Sequence, residues 1–190
     1  MIVSRRGAPA ELESERLILR APDPKFGAAV AAGINESFEE LHRFMEWAEK
    51  RATVEDSTVR QRASRAEFLS GEHHAWLLFR KEDDAFVGIC GMPRPRWDEA
   101  TLEIGYWLRT SQVGKGYMTE AVRRVTRLSF EVLGAKRLEI QMSDQNLRSV
   151  SVAERAGYRW AETRTGEVHP DGSPRTTRVY VLEPHEAGAL

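Results

Sequence analysis

The stretch that decides the fold is residues 102–121, which read LEIGYWLRTSQVGKGYMTEA. Its first seven residues have the composition of a strand, and a helical pattern begins directly after the glycines. Gly114 and Gly116 let backbone N–H groups close on a bulky anion, and a helix N-terminus adds a partial positive charge at the same place. The stretch therefore predicts a pyrophosphate site at a strand-to-helix corner.

This glycine loop differs from the two commoner phosphate-binding motifs. A P-loop requires G-x-x-x-x-G-K-[ST], whereas these glycines are two positions apart and no Lys-Ser/Thr pair follows them. A dinucleotide fingerprint requires a third glycine, and Thr119 occupies that place. Taken alone, the loop is equally compatible with a plain left-handed turn, so the rest of the chain has to decide between a turn and an anion site.

Length and composition favour a single soluble domain. The 190 residues carry 28 Lys and Arg against 29 Asp and Glu, so the net charge of −1 indicates neither a nucleic-acid nor a membrane partner. The single cysteine, Cys90, excludes an intramolecular disulfide framework. No signal peptide and no apolar run of the ~20 residues that span a bilayer is visible, so we expect a cytoplasmic protein. His73 and His74 are adjacent and lack a cluster of further ligands, so we expect no metal.

The order of the predicted elements mixes strands and helices. Periodicity predicts strands at 16–20, 75–79, 85–90, 101–108, 137–142 and 179–182, with loops at 93–98 and 166–174. It predicts helices at 26–34, 38–47, 53–69, 118–132 and 146–156. Thr53 is the expected N-cap of the third helix, and Gly71 its end. We infer one α+β domain over 11–184 with a mostly antiparallel sheet, a flexible segment at 1–10 and a tail at 185–190.

Several motifs of the chain occur together in one known family. They are E-R-L-I-L-R at 15–20, E-I-G-Y-W-L at 103–108, G-K-G-Y-x-T-E-A at 114–121, N-x-x-S at 146–149 and A-G-Y at 156–158. In this order they resemble the GNAT superfamily of N-acetyltransferases, and within it the ribosomal-protein N-acetyltransferase branch. The resemblance spans residues 13–182. It implies a GNAT fold whose sheet opens after the 101–108 strand, so that pantetheine lies between that strand and 137–142.

The resemblance implies acetyl-coenzyme A as co-substrate and assigns its contacts. The implied cofactor-binding residues are Trp107, Leu108, Arg109, Gln112, Val113, Gly114, Lys115, Gly116, Tyr117, Met118, Thr119, Asn146 and Ser149. The family pattern has Arg or Gln directly before the first glycine of the loop, where this chain has Val113. It has Gly or Ala where this chain has Met118, whose side chain we therefore expect in the core. Backbone amides do most of the phosphate binding, so these differences should be tolerable.

Two catalytic candidates follow from the reaction that the resemblance implies. An amine must be neutral to attack the thioester, and Glu103, which also faces the acceptor, is the candidate base. Many members use a tyrosine acid at the place of Ala153, so the acid must come from elsewhere. Ser149 is the candidate, because this branch has a serine that contacts the thiol. The alternatives are a solvated or arginine-paired Glu103, an Asn146 that only caps its helix, and a Ser149 that bonds back to the backbone.

The acceptor is the least defined part of the site. The resemblance favours direct transfer to a protein N-terminal α-amine, with Trp47 at the acceptor groove. A small amine, such as a polyamine or an aminoglycoside, is the alternative substrate, and a coenzyme A-binding module without catalysis is the alternative class. The branch often has an Asp near Thr177, and its absence weakens any transfer of acceptor specificity. An isologous homodimer is the oligomer expected first.

Overall fold

The strands come from the apolar segments that the sequence analysis singled out, with additions near both ends. The computed structural model describes residues 6–93, 95–169 and 171–189. Its strands are β1 Glu11–Glu13, β2 Leu17–Arg20, β3 His74–Arg80, β4 Phe86–Met92, β5 Thr101–Glu103, β6 Gly105–Leu108, β7 Arg137–Ser143, β8 Arg159–Val168 and β9 Pro174–Leu182. Its α-helices are α1 Gly27–Glu36, α2 Phe38–Phe44, α3 Val54–Ser70, α4 Tyr117–Glu131 and α5 Leu147–Arg155.

Local capping explains where α3 begins and ends. The side chain of Thr53 accepts a hydrogen bond from the Asp56 amide at 3.0 Å, which satisfies one of the amides that lack a partner within the helix. Gly71 follows the last turn in the left-handed conformation, at φ 81°. The predicted cap and stop of this helix are therefore confirmed.

The strands form two sheets. One sheet has the order β1-β2-β3-β4-β6 and is antiparallel throughout. The other has the order β5-β7-β9-β8, in which β5 and β7 run parallel and the remaining pairs run antiparallel. This mixed, mostly antiparallel arrangement confirms the predicted α+β class.

The predicted strand at 101–108 is divided, and the division creates the opening between the sheets. β5 pairs with β7, and the amide of Ile104 still donates to the carbonyl of Glu139 at 2.7 Å. From Gly105 onward β6 pairs with β4 instead. The sheet therefore opens between the 101–108 strand and 137–142, as expected, but only from Gly105 onward, because residues 101–103 stay paired with β7. Once the two sheets diverge, one backbone segment cannot hydrogen-bond to both.

The C-terminal hairpin was also predicted incompletely. β8 was not predicted, and β9 begins at Pro174 rather than at residue 179, so residues 166–168 and 174 of the predicted loop belong to strands. Every residue of β8 is exposed, so neither face carries the apolar alternation from which a strand is recognised. Its pairing with β9, rather than burial, defines this strand.

Two helices differ from their predicted extents. α2 ends at Phe44, which leaves Met45 and Trp47 outside it, because the backbone of Met45 is already extended. Val132 was assigned to the apolar stripe of α4, but it is the C-cap residue and is 52% exposed. The rest of that stripe, from Met118 to Leu128, is buried in the main core. It includes Met118 itself, as its expected position in the core requires.

The main core fills the space between α4 and the two sheets. Leu102, Leu138 and Ile140 of the second sheet share this cluster with the buried stripe of α4. Cys90 is fully buried in it, and burial raises the pKa of its thiol far above the ordinary value. None of the helices in the described part of the chain is long and apolar enough to cross a membrane.

Candidate active site

A cleft of about 360 Å³ lies where the two sheets diverge, beside β6. Its walls come from α2, β6, the glycine loop with the start of α4, and α5. The lining residues are Glu40, Leu41, Phe44, Met45, Tyr106, Trp107, Leu108, Thr110, Val113, Gly114, Gly116, Tyr117, Met118, Thr119, Asn146, Arg148, Ser149, Ser151, Val152 and Arg155. A strand edge on one side and a helix N-terminus on the other give this cleft backbone donors along much of its length.

The glycine loop forms one end of the cleft. Gly114 and Gly116 both have left-handed backbones, at φ 83° and 81°, which side-chain-bearing residues rarely adopt. α4 begins directly afterwards at Tyr117, so its first free amides face the same region. A Cβ added at Gly114 would find nothing within 4 Å, so a ligand has room to approach the backbone there. The predicted anion site thus has the backbone geometry that phosphate binding requires.

The start of α5 forms the opposite wall. The side chain of Asn146 accepts a hydrogen bond from the Ser149 amide at 3.1 Å, which fixes the first turn of the helix. This cap holds Ser149 against β6. The alternative role of Asn146 as a plain N-cap is therefore present, and both residues also line the cleft.

Ser149 is hydrogen-bonded to a tyrosine that the sequence analysis did not single out. The Tyr106 hydroxyl lies 2.9 Å from Ser149 Oγ and 3.1 Å from the Ser149 carbonyl oxygen. Burial raises the pKa of Tyr106 above its ordinary value, although the contact with Ser149 opposes that shift, so the phenol keeps its proton. When Tyr106 donates to Ser149 Oγ, the serine hydrogen is free to point into the cleft. In this arrangement the Ser149 hydroxyl can donate one hydrogen bond to a ligand atom in the cleft.

The thirteen predicted cofactor-binding residues divide into two groups. Ten of them line the cleft, whereas Arg109, Gln112 and Lys115 do not. Arg109 instead forms an ion pair with Glu36 and donates to the Phe86 carbonyl at 3.1 Å. Burial opposes ionisation of Glu36, but hydrogen bonds from Arg109 and Ser111 lower its pKa to about 2. Arg109 thus holds the β6 end of the loop against α1.

The side chains of Gln112 and Lys115 bond to each other rather than facing the cleft. Lys115 Nζ donates to Gln112 Oε1 at 3.1 Å, and Gln112 is buried. These two residues therefore shape the loop from outside.

A further wall of the cleft is formed by α2 and the segment that follows it. Phe44 and Met45 line the cleft, and the ring of Trp47 lies 6.3 Å from that of Trp107. Trp47, predicted at the acceptor groove, is 53% exposed and is not among the residues that line the cleft. Glu40 of α2 does line it and is exposed, so this end is open to solvent. These lining residues were not singled out from the sequence, because α2 approaches β6 only through tertiary packing.

Glu103 lies at the vertex of the opening. It is the last residue of β5, next to Ile104, and is partly buried. Its register partner in β7 is Glu139, whose carboxylate is bound by Arg137 and Arg96. Glu103 is not among the residues that line the cleft. Its carboxylate therefore does not form part of the cleft wall in this structure.

The described residues contain no group of three or more His, Cys, Asp or Glu side chains that could hold a metal ion. The polar groups that face the cleft are backbone amides, hydroxyls, Asn146, Glu40 and two arginines. This set suits an anionic ligand with a neutral central portion.

Comparison with known proteins gives a family match. Residues 16–159 match the family described as the acetyltransferase (GNAT) domain. The probable N-acetyltransferase YjcK of Bacillus subtilis is 34% identical over 107 residues, which are 56% of this chain and 59% of that protein. The chain thus spans a little over half of the length of this relative.

Two solved structures share the fold at low sequence identity. The microcin C7 self-immunity acetyltransferase MccE, in complex with acetyl-CoA and AMP, has a TM-score of 0.83 at 20% identity, covering 93% of this chain and 97% of that chain. RimL, a ribosomal L7/L12 α-N-protein acetyltransferase in complex with coenzyme A, has a TM-score of 0.82 at 19% identity, covering 92% and 96%.

Proposed function

The chain belongs to the GNAT family of acetyl-coenzyme A-dependent acetyltransferases, and we propose that it transfers the acetyl group directly to the α-amine of a protein N-terminus. The observation that carries the choice of acceptor is the open end of the cleft at α2, where the lining residue Glu40 is exposed. Small-molecule sites usually enclose most of their ligand, whereas a chain terminus needs a groove through which the rest of the polypeptide can leave. The similarity to RimL supports the same choice, although it shows the fold alone.

The cleft offers a complementary surface to each part of the donor. The pyrophosphate would lie on the amides of the loop at Gly114 and Gly116 and of the first turn of α4. The pantetheine arm would lie between the β6 edge and α5, where Leu108 and Val152 provide apolar contacts. The arginines at 148 and 155 line the same cleft and supply positive charge. This direction of binding brings the thioester to Ser149.

The transfer step makes one bond and breaks one. The neutral amine nitrogen attacks the thioester carbon, the C–N bond forms, and the C–S bond then breaks. One proton leaves the amine through water to Glu103, which returns it to solvent, and the departing thiolate takes up one proton from water. An α-amine, with a pKa of ~7.7–8.0, asks less of the base than a lysine at ~10.4. A base that acts through one water therefore fits an α-amine acceptor.

The hydroxyls of Ser149 and Tyr106 act on the leaving sulfur. For this, the Tyr106 hydrogen has to turn from the Ser149 carbonyl oxygen to Ser149 Oγ, which lies 2.9 Å away, so that Ser149 can donate to the sulfur on which negative charge develops. Because the pKa of Tyr106 is raised, the phenol contributes a hydrogen bond rather than a negative charge. This arrangement supplies a hydrogen-bond donor to the leaving sulfur without a tyrosine at Ala153.

The acceptor is tested with matched amines and acetyl-coenzyme A, using mass spectrometry of the products. We expect peptides with a free N-terminus to be acetylated once, at the α-amine, and N-terminally blocked peptides that contain lysine to react at least ~10-fold more slowly, since their amine is mostly protonated. Faster turnover of spermidine or an aminoglycoside would show that the acceptor is a small amine and not a peptide. Binding of coenzyme A without turnover of any amine would instead indicate a non-catalytic module.

A further inference from the structure

The segment before β2 reaches the glycine loop from outside the cleft. Arg16 Nη1 donates to the carbonyl oxygen of Lys115 at 2.9 Å, although the two residues are 99 positions apart. The Arg16 guanidinium also lies over the ring of Tyr117, with 4.8 Å between its central carbon and the ring centroid. Arg16 is not among the residues that line the cleft, whereas Gly116 is. The guanidinium therefore holds the loop from the side opposite to the ligand.

This contact sets the direction of one backbone amide. The peptide bond between Lys115 and Gly116 is trans, so its C=O and N–H point in opposite directions. Because Arg16 binds the C=O, the Gly116 N–H points away from Arg16, toward the cleft. A glycine adopts positive and negative φ about equally, so this peptide could otherwise rotate and present its carbonyl oxygen to the ligand. A carbonyl there would repel a phosphate that the amide attracts.

Glu120 in the first turns of α4 fixes Arg16 in this position. Its Oε2 accepts from Arg16 Nε at 2.8 Å, and its Oε1 accepts from the Arg16 amide and from Ser14 Oγ, both at 2.7 Å. Partial burial opposes ionisation of Glu120, but these donors hold its pKa below the ordinary value, so the carboxylate stays charged. A negative charge near a helix N-terminus would weaken anion binding there. The ion pair with Arg16 offsets the charge of Glu120.

We propose that Arg16, anchored by Glu120, is a positioning residue for donor recognition that keeps the Gly116 amide directed at the pyrophosphate of acetyl-coenzyme A. The inference rests on the proposed function. It joins two motifs, E-R-L-I-L-R and G-K-G-Y-x-T-E-A, through one ion pair. Arg16 touches neither the substrate nor the reacting atoms, so its effect should be on donor affinity and not on the chemical step.

The test compares Arg16→Ala with Arg124→Ala. Arg124 is the matched control, because its Nε donates to the Glu13 carbonyl at 2.9 Å and so joins α4 to β1 without touching the loop. We expect Arg16→Ala to raise the Kd of coenzyme A and the KM of acetyl-coenzyme A ~10-fold, the usual effect of losing a charged hydrogen bond. The kcat should stay within about twofold, and Arg124→Ala should leave all three constants unchanged.

Two further measurements separate positioning from a general loss of structure. For acetyl-pantetheine, which lacks the pyrophosphate, Arg16→Ala and the wild type should have equal kcat/KM. If Arg16→Ala unfolds, Arg16→Lys is tested in its place. Its ammonium keeps the positive charge beside Glu120 but cannot bind both the Glu120 carboxylate and the Lys115 carbonyl as the guanidinium does. A wild-type Kd for coenzyme A in a folded Arg16 variant would overturn the proposal. Failure of the wild type itself to bind coenzyme A would instead refute the proposed function.

Discussion

Replacing Ser149 with alanine should lower kcat ~100-fold while the KM of acetyl-coenzyme A changes less than about threefold, since removing a donor to a developing charge affects mainly the transition state. The Ser149 hydroxyl lines the cleft and is hydrogen-bonded to the Tyr106 hydroxyl. Its loss leaves the departing sulfur without a hydrogen bond and does not alter the phosphate site. Initial rates with varied donor and saturating peptide would measure both constants.

Ser151→Ala is the matched control for this prediction. Ser151 lies on the same helix and also lines the cleft, so its truncation removes a hydroxyl of the same size from the same wall. We expect its kcat to remain within about twofold of the wild type, as for a side chain outside the reacting network. Tyr106→Phe should reproduce part of the Ser149→Ala defect, because the serine then loses its donor. Equal kcat values for Ser149→Ala and Ser151→Ala would remove Ser149 from the mechanism.

Replacing Glu103 with glutamine should lower kcat ~100-fold near pH 7 with an N-terminal peptide as acceptor, the usual effect of removing a general base. The substitution keeps the size of the side chain at the vertex and removes only its ability to take a proton. The affinity for coenzyme A should be unchanged, because Glu103 lies away from the loop that binds the phosphates. Steady-state rates and calorimetry with coenzyme A would measure the two effects.

The pH dependence distinguishes a base from a structural glutamate. As the pH rises through the α-amine pKa of ~7.7–8.0, the acceptor loses its own proton and the need for a base declines. The ratio of wild-type to variant rates should therefore fall between pH 7 and pH 9. A ratio that stays constant over this range would show that Glu103 acts through the structure, and equal rates at pH 7 would remove the assignment.

The glycine loop could be predicted because its signals are local. Two glycines, a preceding strand and a following helical stripe lie within twenty residues. Each of these signals predicts a particular backbone conformation from neighbouring residues alone. The same holds for the cap at Thr53 and the stop at Gly71. The motif order then identified the family, which the match over 16–159 confirmed.

The parts that escaped prediction depend on contacts between distant segments. Tyr106 lies in a strand that was predicted to be continuous over 101–108, but the strand divides at Ile104, so alternation along it does not show what Tyr106 faces. Phe44 reaches the cleft only because α2 packs near β6. Arg16 and Glu120 stand in two separately recognised motifs, 104 positions apart, and their ion pair becomes visible only in the folded chain.

The most direct test of the account is thermal unfolding of the wild-type protein with and without acetyl-coenzyme A, with ATP and NAD as controls. At ~100 times Kd, binding to the native state adds ~2.7 kcal/mol to the free energy of unfolding, which raises Tm by very roughly 5–10 °C for a domain of this size. We expect that rise with acetyl-coenzyme A and a much smaller one with ATP or NAD. A folded protein whose Tm does not respond to acetyl-coenzyme A would reduce the glycine loop to a plain turn and contradict the proposed function.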